Sequence, residues 1–122
     1  MKRLVALMAV VAFLAVAMVA FGMPAAPTGD IEIVKAEGGS KPPVSFSHVK
    51  HAAAVPDCVT CHHTSKVGGA IEKCSACHKA EKDGKKLSSK DAAHKTCRGC
   101  HKNMKDAGKK TGPTPCTGCH KK

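Results

Sequence analysis

The sequence predicts a small, mostly irregular domain with a few α-helices and a short N-terminal two-stranded ribbon, whose core is not made by its own side chains. Three observations predict it. The chain has 122 residues with no Trp, no Tyr and three Phe, and so short a domain buries too little apolar surface to be secure without a staple. All eight Cys fall in four copies of one five-residue motif. Beyond the first 22 positions aliphatic residues are few and scattered, while Gly and Lys are common.

The N-terminus comes first. Lys2 and Arg3 precede Leu4 to Phe21, an apolar run of 18 residues without a charge. Ala20 and Gly22 place small residues for cleavage after Gly22. This reads as a secretory signal peptide, residues 1–22, followed by one mature domain, residues 23–122. The alternative is a retained membrane anchor, since the run is nearly long enough to span.

Ile31 to Val34 and Pro43 to Phe46 are two extended runs separated by Gly38 and Gly39, and they predict the ribbon. An irregular arm is the alternative. Ser65 to Gly69, Lys79 to Ser88 and Lys109 to Pro115 read as loops. Asp91 to Lys105 is the best helix, with Ser88 or Ser89 as its cap.

The motif carries the chemistry. Its copies are Cys58-Val59-Thr60-Cys61-His62, Cys74-Ser75-Ala76-Cys77-His78, Cys97-Arg98-Gly99-Cys100-His101 and Cys116-Thr117-Gly118-Cys119-His120. Two thiols three positions apart reach the two vinyl groups of a porphyrin as thioethers, and the next His swings under the iron. Cys-x-x-Cys-His is therefore a c-type haem attachment signal. Four disulfides, or four-thiolate zinc sites, are the rivals for eight Cys in an exported chain. Neither accounts for a His directly after every second Cys.

The remaining His residues are His48, His51, His63 and His94. Four irons with two axial positions each take eight ligands, and the chain has eight His. Bis-His ligation of all four haem irons follows, leaving Met104 without a role as ligand. A six-coordinate iron has no open position for a substrate, whereas catalytic metal sites keep one. The expected function is therefore electron transfer and not enzymatic catalysis.

Charge agrees with that reading. The formal charge is +11, and removal of Lys2 and Arg3 leaves +9. Such a balance often marks a nucleic-acid or membrane binder, but the aromatics that would stack on bases are absent. Four haems would bring up to eight propionates and leave a net charge near +1.

The pattern resembles the class III tetrahaem cytochromes c, the cytochrome c3 family of sulfate-reducing bacteria, over residues 31–122. The resemblance rests on Val44-Ser45-Phe46-Ser47-His48-Val49-Lys50-His51, on the doubled His62-His63 after the first Cys pair, and on His94 shortly before the third motif. It implies a multihaem fold with the haems as core. Numbering haems by motif, it implies His62 and His48 for haem 1, His78 and His63 for haem 2, His101 and His51 for haem 3, and His120 and His94 for haem 4. Many relatives have four residues between the Cys of haems 2 and 4, where this chain has two. The three-haem relatives lack the second motif, which is present here.

With those ligands, His62 and His63 tie haem 1 to haem 2 through one peptide unit. His48 and His51, on one helical turn, would have Cβ atoms about 5–6 Å apart and make haems 1 and 3 neighbours. His94 and His101 are seven apart, on one face of a regular helix, and tie haem 4 to haem 3. Phe46 is placed to pack on a haem face between the His48 and His51 irons.

The resemblance also implies a periplasmic, low-potential electron shuttle between a periplasmic hydrogenase and membrane redox complexes, such as a membrane-bound cytochrome complex, in sulfate-type anaerobic respiration. Docking near haem 4 would use Lys102, Lys105, Lys109, Lys110, Lys121 and Lys122, unless these only solubilise the surface. A monomer that binds no nucleic acid is expected. The rival function is a membrane-anchored multihaem quinol dehydrogenase subunit with the N-terminal helix retained.

Overall fold

A computed structural model describes residues 24–33, 39–66 and 69–121. The expected signal peptide, Val34 and Lys122 lie outside the described residues. The elements in order are β1 (Asp30–Ile33), β2 (Val44–Ser47), α1 (His48–Ala54), a 3-10 turn (Cys58–Thr60), α2 (Cys74–Cys77), α3 (Ser89–Ala93), a π-helical turn (His94–Arg98), α4 (Gly99–Asp106) and α5 (Cys116–Cys119). Among the described residues no helix is long and apolar enough to cross a membrane.

The ribbon forms, antiparallel, with Ile31 opposite Phe46 and Ile33 opposite Val44. It sits one residue off the predicted runs: Asp30 joins at its start and Ser47 at its end. β2 alternates in the expected sense, with Val44 and Phe46 half-buried and Ser45 exposed. It runs directly into α1, so Phe46 lies next to the turn that carries His48 and His51.

The predicted helix is present but not regular. Ser88 caps it: its Oγ accepts from the Asp91 backbone N–H at 3.1 Å and donates to the Asp91 carboxylate at 2.8 Å. α3 then passes through the π turn into α4 without a break. The helix closes after Asp106 in a Schellman motif. Lys109 N–H bonds Met104 C=O and Gly108 N–H bonds Lys105 C=O, both at 2.9 Å. Gly108 has φ +69°, a left-handed conformation that only glycine adopts without strain.

Among the described residues no hydrophobic side chain is buried, and Ser88 is the sole buried residue. The described elements are therefore not held together by a side-chain core. Among the described residues secondary structure is confined to the ribbon, the two-turn helix α1, one long helix and single turns, as the composition predicts.

Candidate haem-binding centres

Each motif is one turn of helix. The His N–H closes on the carbonyl of the first Cys: His62 on Cys58 at 2.9 Å, His78 on Cys74 at 2.9 Å and His120 on Cys116 at 2.8 Å. The third motif lies in the run of π and α turns. On such a turn, positions i, i+3 and i+4 share a side, so both sulfurs and the imidazole face one way. Asp57 caps the first turn by accepting from Val59 N–H at 3.2 Å.

All eight Cys are free of disulfides. Partial burial pushes the Cys61 and Cys97 thiols above their ordinary range. Neighbouring sulfurs add to this, Cys100, Cys74 and Cys58 at Cys61, and Cys61, Cys74, Cys119 and Cys100 at Cys97. Sulfurs of all four motifs thus lie within electrostatic reach of Cys97. Among the described residues no three His, Cys, Asp or Glu side chains converge on a point that would hold a bare metal ion.

The imidazoles come in pairs instead. Ring centres are 6.3 Å apart for His48 and His62, 6.0 Å for His51 and His101, 6.1 Å for His63 and His78, and 6.5 Å for His94 and His120. The structure brings together all eight His that the sequence singles out, in these four pairs. An imidazole nitrogen bonds a metal at about 2.0–2.1 Å and lies about 1.1 Å from its ring centre, so rings on opposite sides of one iron have centres about 6.3 Å apart. Every pair fits an iron between its rings.

The far side of four rings is also occupied. His51 Nδ1 meets Ser47 C=O at 2.8 Å, His78 Nδ1 meets Leu87 C=O at 2.9 Å, His101 Nδ1 meets Pro113 C=O at 2.8 Å and His120 Nδ1 meets Pro42 C=O at 2.7 Å. A carbonyl only accepts, so Nδ1 carries the proton and donates, and Nε2 keeps its lone pair for a metal. That is the outer-shell arrangement of a ligating His.

These acceptors are invisible to motif reading, because they are backbone atoms of remote segments. The Lys79–Ser88 loop is closed by Ser89 N–H to Lys79 C=O at 2.7 Å, which carries Leu87 back to His78. Pro42 is 78 positions from His120. The one available signal was proline: Pro42 and Pro113 lie in Pro-rich runs, and extended Pro-rich backbone makes no internal hydrogen bonds, so its carbonyls stay free to accept.

Two expectations are refined. Phe46 stacks on His51 at 4.2 Å and 26° and meets His48 edge-on at 6.0 Å, so it sits mainly against His51. His94 and His101 do not share a helix face, because the π turn between them adds a residue to the winding and shifts their phase by about 100°. Of the predicted docking lysines, Lys102, Lys105, Lys109, Lys110 and Lys121 are exposed, and Lys102 pairs with Asp106 at 2.7 Å.

Turns that present two thiols and an imidazole, beside paired imidazoles spaced for an iron, define a multihaem c-type cytochrome. The model of the class III cytochrome c family matches residues 24–120, and the chain belongs to that family of multihaem electron-transfer proteins, which bind haem c. The chain is 42% identical over 101 residues to a cytochrome c3 of Desulfovibrio desulfuricans, covering 74% of this chain and 92% of that one. It is 38% identical over 124 residues to a cytochrome c7 of Geobacter metallireducens, covering 100% of both. Among solved structures it resembles the di-tetrahaem cytochrome c3 of Desulfovibrio gigas, with TM-score 0.61, 34% identity, and 80% of this chain and 98% of that chain covered.

Proposed function

We propose that the mature chain, residues 23–122 after loss of a signal peptide, is a periplasmic, low-potential electron carrier with four haems. Each haem is attached through the two Cys of one motif and held between two His. The pairs are His62 with His48, His78 with His63, His101 with His51, and His120 with His94. The observation that supports this most is the spacing of four separate imidazole pairs at 6.0–6.5 Å.

A bound haem supplies a one-electron ferric/ferrous couple. The chain's own residues do the rest. The two Cys of each motif would hold the group by thioethers, where the described residues bury no side-chain core. The paired imidazoles would be the two protein ligands of each iron and would leave no place for a substrate or an exogenous ligand, as in a carrier and not an enzyme. Neighbouring His62 and His63, and His48 and His51 on one turn, keep the centres close enough for internal exchange in the order 2–1–3, and haem 4 joins through the helix that carries both His94 and the third motif.

The exposed lysines at the C-terminal end form the docking face for an acidic redox partner, a periplasmic hydrogenase on one side and a membrane-bound cytochrome complex on the other. Complementary charge of this kind raises encounter rates and weakens with salt.

Intact mass and absorption spectrum of the purified holoprotein test the reading together. The expected result is a polypeptide beginning near Met23 plus four haems, with a low-spin spectrum and no rapid carbon monoxide binding to the reduced protein. Fewer haems, or a high-spin ferric band, would overturn it. Reduction rates by an acidic hydrogenase that ignored ionic strength would remove the docking face alone.

A further inference from the structure

We infer that the His51–His101 pair is the strongest donor pair in the chain, and that the haem it holds, bound by Cys97 and Cys100, is the last of the four to be reduced. The inference rests on the bis-His reading above. It adds a residue assignment: Gly112, Pro113, Thr114 and Arg98 are positioning residues for His101.

The four pairs differ in their outer hydrogen bonds. Both rings of the His51–His101 pair donate Nδ1–H to a carbonyl, each at 2.8 Å. In the His63–His78 pair the bond seen is that of His78, and in the His94–His120 pair that of His120. In the His48–His62 pair, His48 Nδ1 is buried with no partner among the described residues. A carbonyl on Nδ1–H pushes electron density onto the ring and makes Nε2 a stronger donor. A stronger donor stabilises ferric over ferrous iron, and outer hydrogen bonding is one of the protein's levers on potential. The order of donor strength places the His51–His101 iron at the low end and the His48–His62 iron at the high end. Each reduction adds one electron and breaks no bond.

The bond on His101 is built by a strap that belongs to no motif. A Cβ on Gly112 would lie 2.5 Å from His101 Cε1 and 2.9 Å from Nε2, so the strap backbone lies against the ring and only glycine fits. Pro113 supplies the acceptor carbonyl. Arg98 Nε donates to Thr114 C=O at 3.0 Å and ties the strap to the third motif. Pro113 also lies against Gly118, where a Cβ would come within 2.5 Å of the Pro113 Cβ, and so the strap is seated on the fourth motif too. On the other ring, Phe46 stacks on His51 and holds it flat. Both rings of this pair are clamped, and their planes lie within 25° of each other.

The test is stepwise reduction of the holoprotein with each haem followed by its own NMR signals. In the wild type the Cys97/Cys100 haem is expected to become ferrous last and the Cys58/Cys61 haem first. Gly112→Ala should displace His101 from Pro113 and raise the ferrous/ferric ratio of the Cys97/Cys100 haem about fivefold at a fixed potential, the worth of one ordinary hydrogen bond, with the other three haems unmoved. Arg98→Leu, which touches no ring, should shift the same haem in the same direction by less, and Arg98→Lys should restore it. If Gly112→Ala fails to take up its full haem set, the Arg98 pair carries the test. A different haem reduced last, or variants that move all four haems alike or none, would overturn the inference while low-spin spectra left the bis-His reading standing. A high-spin wild-type haem would overturn both.

Discussion

Two segments each carry a pair of candidate ligands and use them in opposite ways. On α1, His48 and His51 are three residues apart on one α-turn, and both rings lie against Phe46. On the long helix, His94 and His101 are seven apart across a π turn, and they pair with different partners, His94 with His120 and His101 with His51. The first segment holds its two imidazoles against one aromatic ring, and the second sets the phase of its two by a change in winding. Spacing in sequence therefore predicts neighbours only where the helix keeps its regular winding. One inserted residue in the hydrogen-bond pattern redirects a side chain by about 100°.

The largest effect expected on this contrast comes from removing a ligand on either segment. On the four-haem, bis-His reading proposed above, His51→Ala and His94→Ala should each convert one low-spin iron to a form that binds carbon monoxide, read by the fraction of the Soret band that responds. A response from two irons after His51→Ala would mean that α1 serves both centres as one unit. Inserting an alanine after Lys95, an exposed residue of the π turn, should come next. It turns His94 by about a further 100° relative to the third motif and should cost one iron its His94 ligand, with the His51–His101 pair kept, whereas deleting Lys95 removes the added residue, keeps the phase and should keep all four pairs, as read by the same fraction and by the haem NMR signals.

Smaller effects sharpen the same comparison through stability. Phe46→Ala removes the ring stacked on His51 and should lower holoprotein stability by about 2 kcal/mol in chemical denaturation. Ser88→Ala removes the cap of the long helix and should cost about 1 kcal/mol in the same measurement. Asp106→Asn breaks an exposed ion pair with Lys102 and should change stability by less than about 0.5 kcal/mol. A Ser88→Ala loss larger than that of Phe46→Ala would mean that the helix, and not the α1 cluster, is the part that holds the fold.

Much of the fold was legible because its signals are local. The poverty of apolar residues predicted sparse structure, and the ribbon appeared within one residue of its predicted place. The cap was legible to within one residue, as Ser88 or Ser89, and the structure selects Ser88, which exchanges two hydrogen bonds with Asp91. The π turn was not legible. Its residues, His94 to Arg98, fit an α-helix equally well, and only the packing of His94 against a different partner from that of His101 selects the wider turn. The strap over His101 was read as a turn-rich link, since Lys109 to Pro115 has the composition of any solvent-exposed connection. Gly112 is constrained by a ring 11 positions away in the chain, and no window of sequence shows that distance.

By itself the sequence determined the chemistry: two thiols and an imidazole on one turn, repeated four times, with a second set of imidazoles equal in number. Those requirements lie within five residues and survive any arrangement of the rest. The tertiary structure decided which loop carbonyl meets each ring: Pro42 on His120, Leu87 on His78 and Pro113 on His101. It decided them because such a hydrogen bond depends on where a ring and a distant backbone carbonyl meet in space, and where the described residues bury no side-chain core that meeting follows how the imidazole pairs draw the loops together.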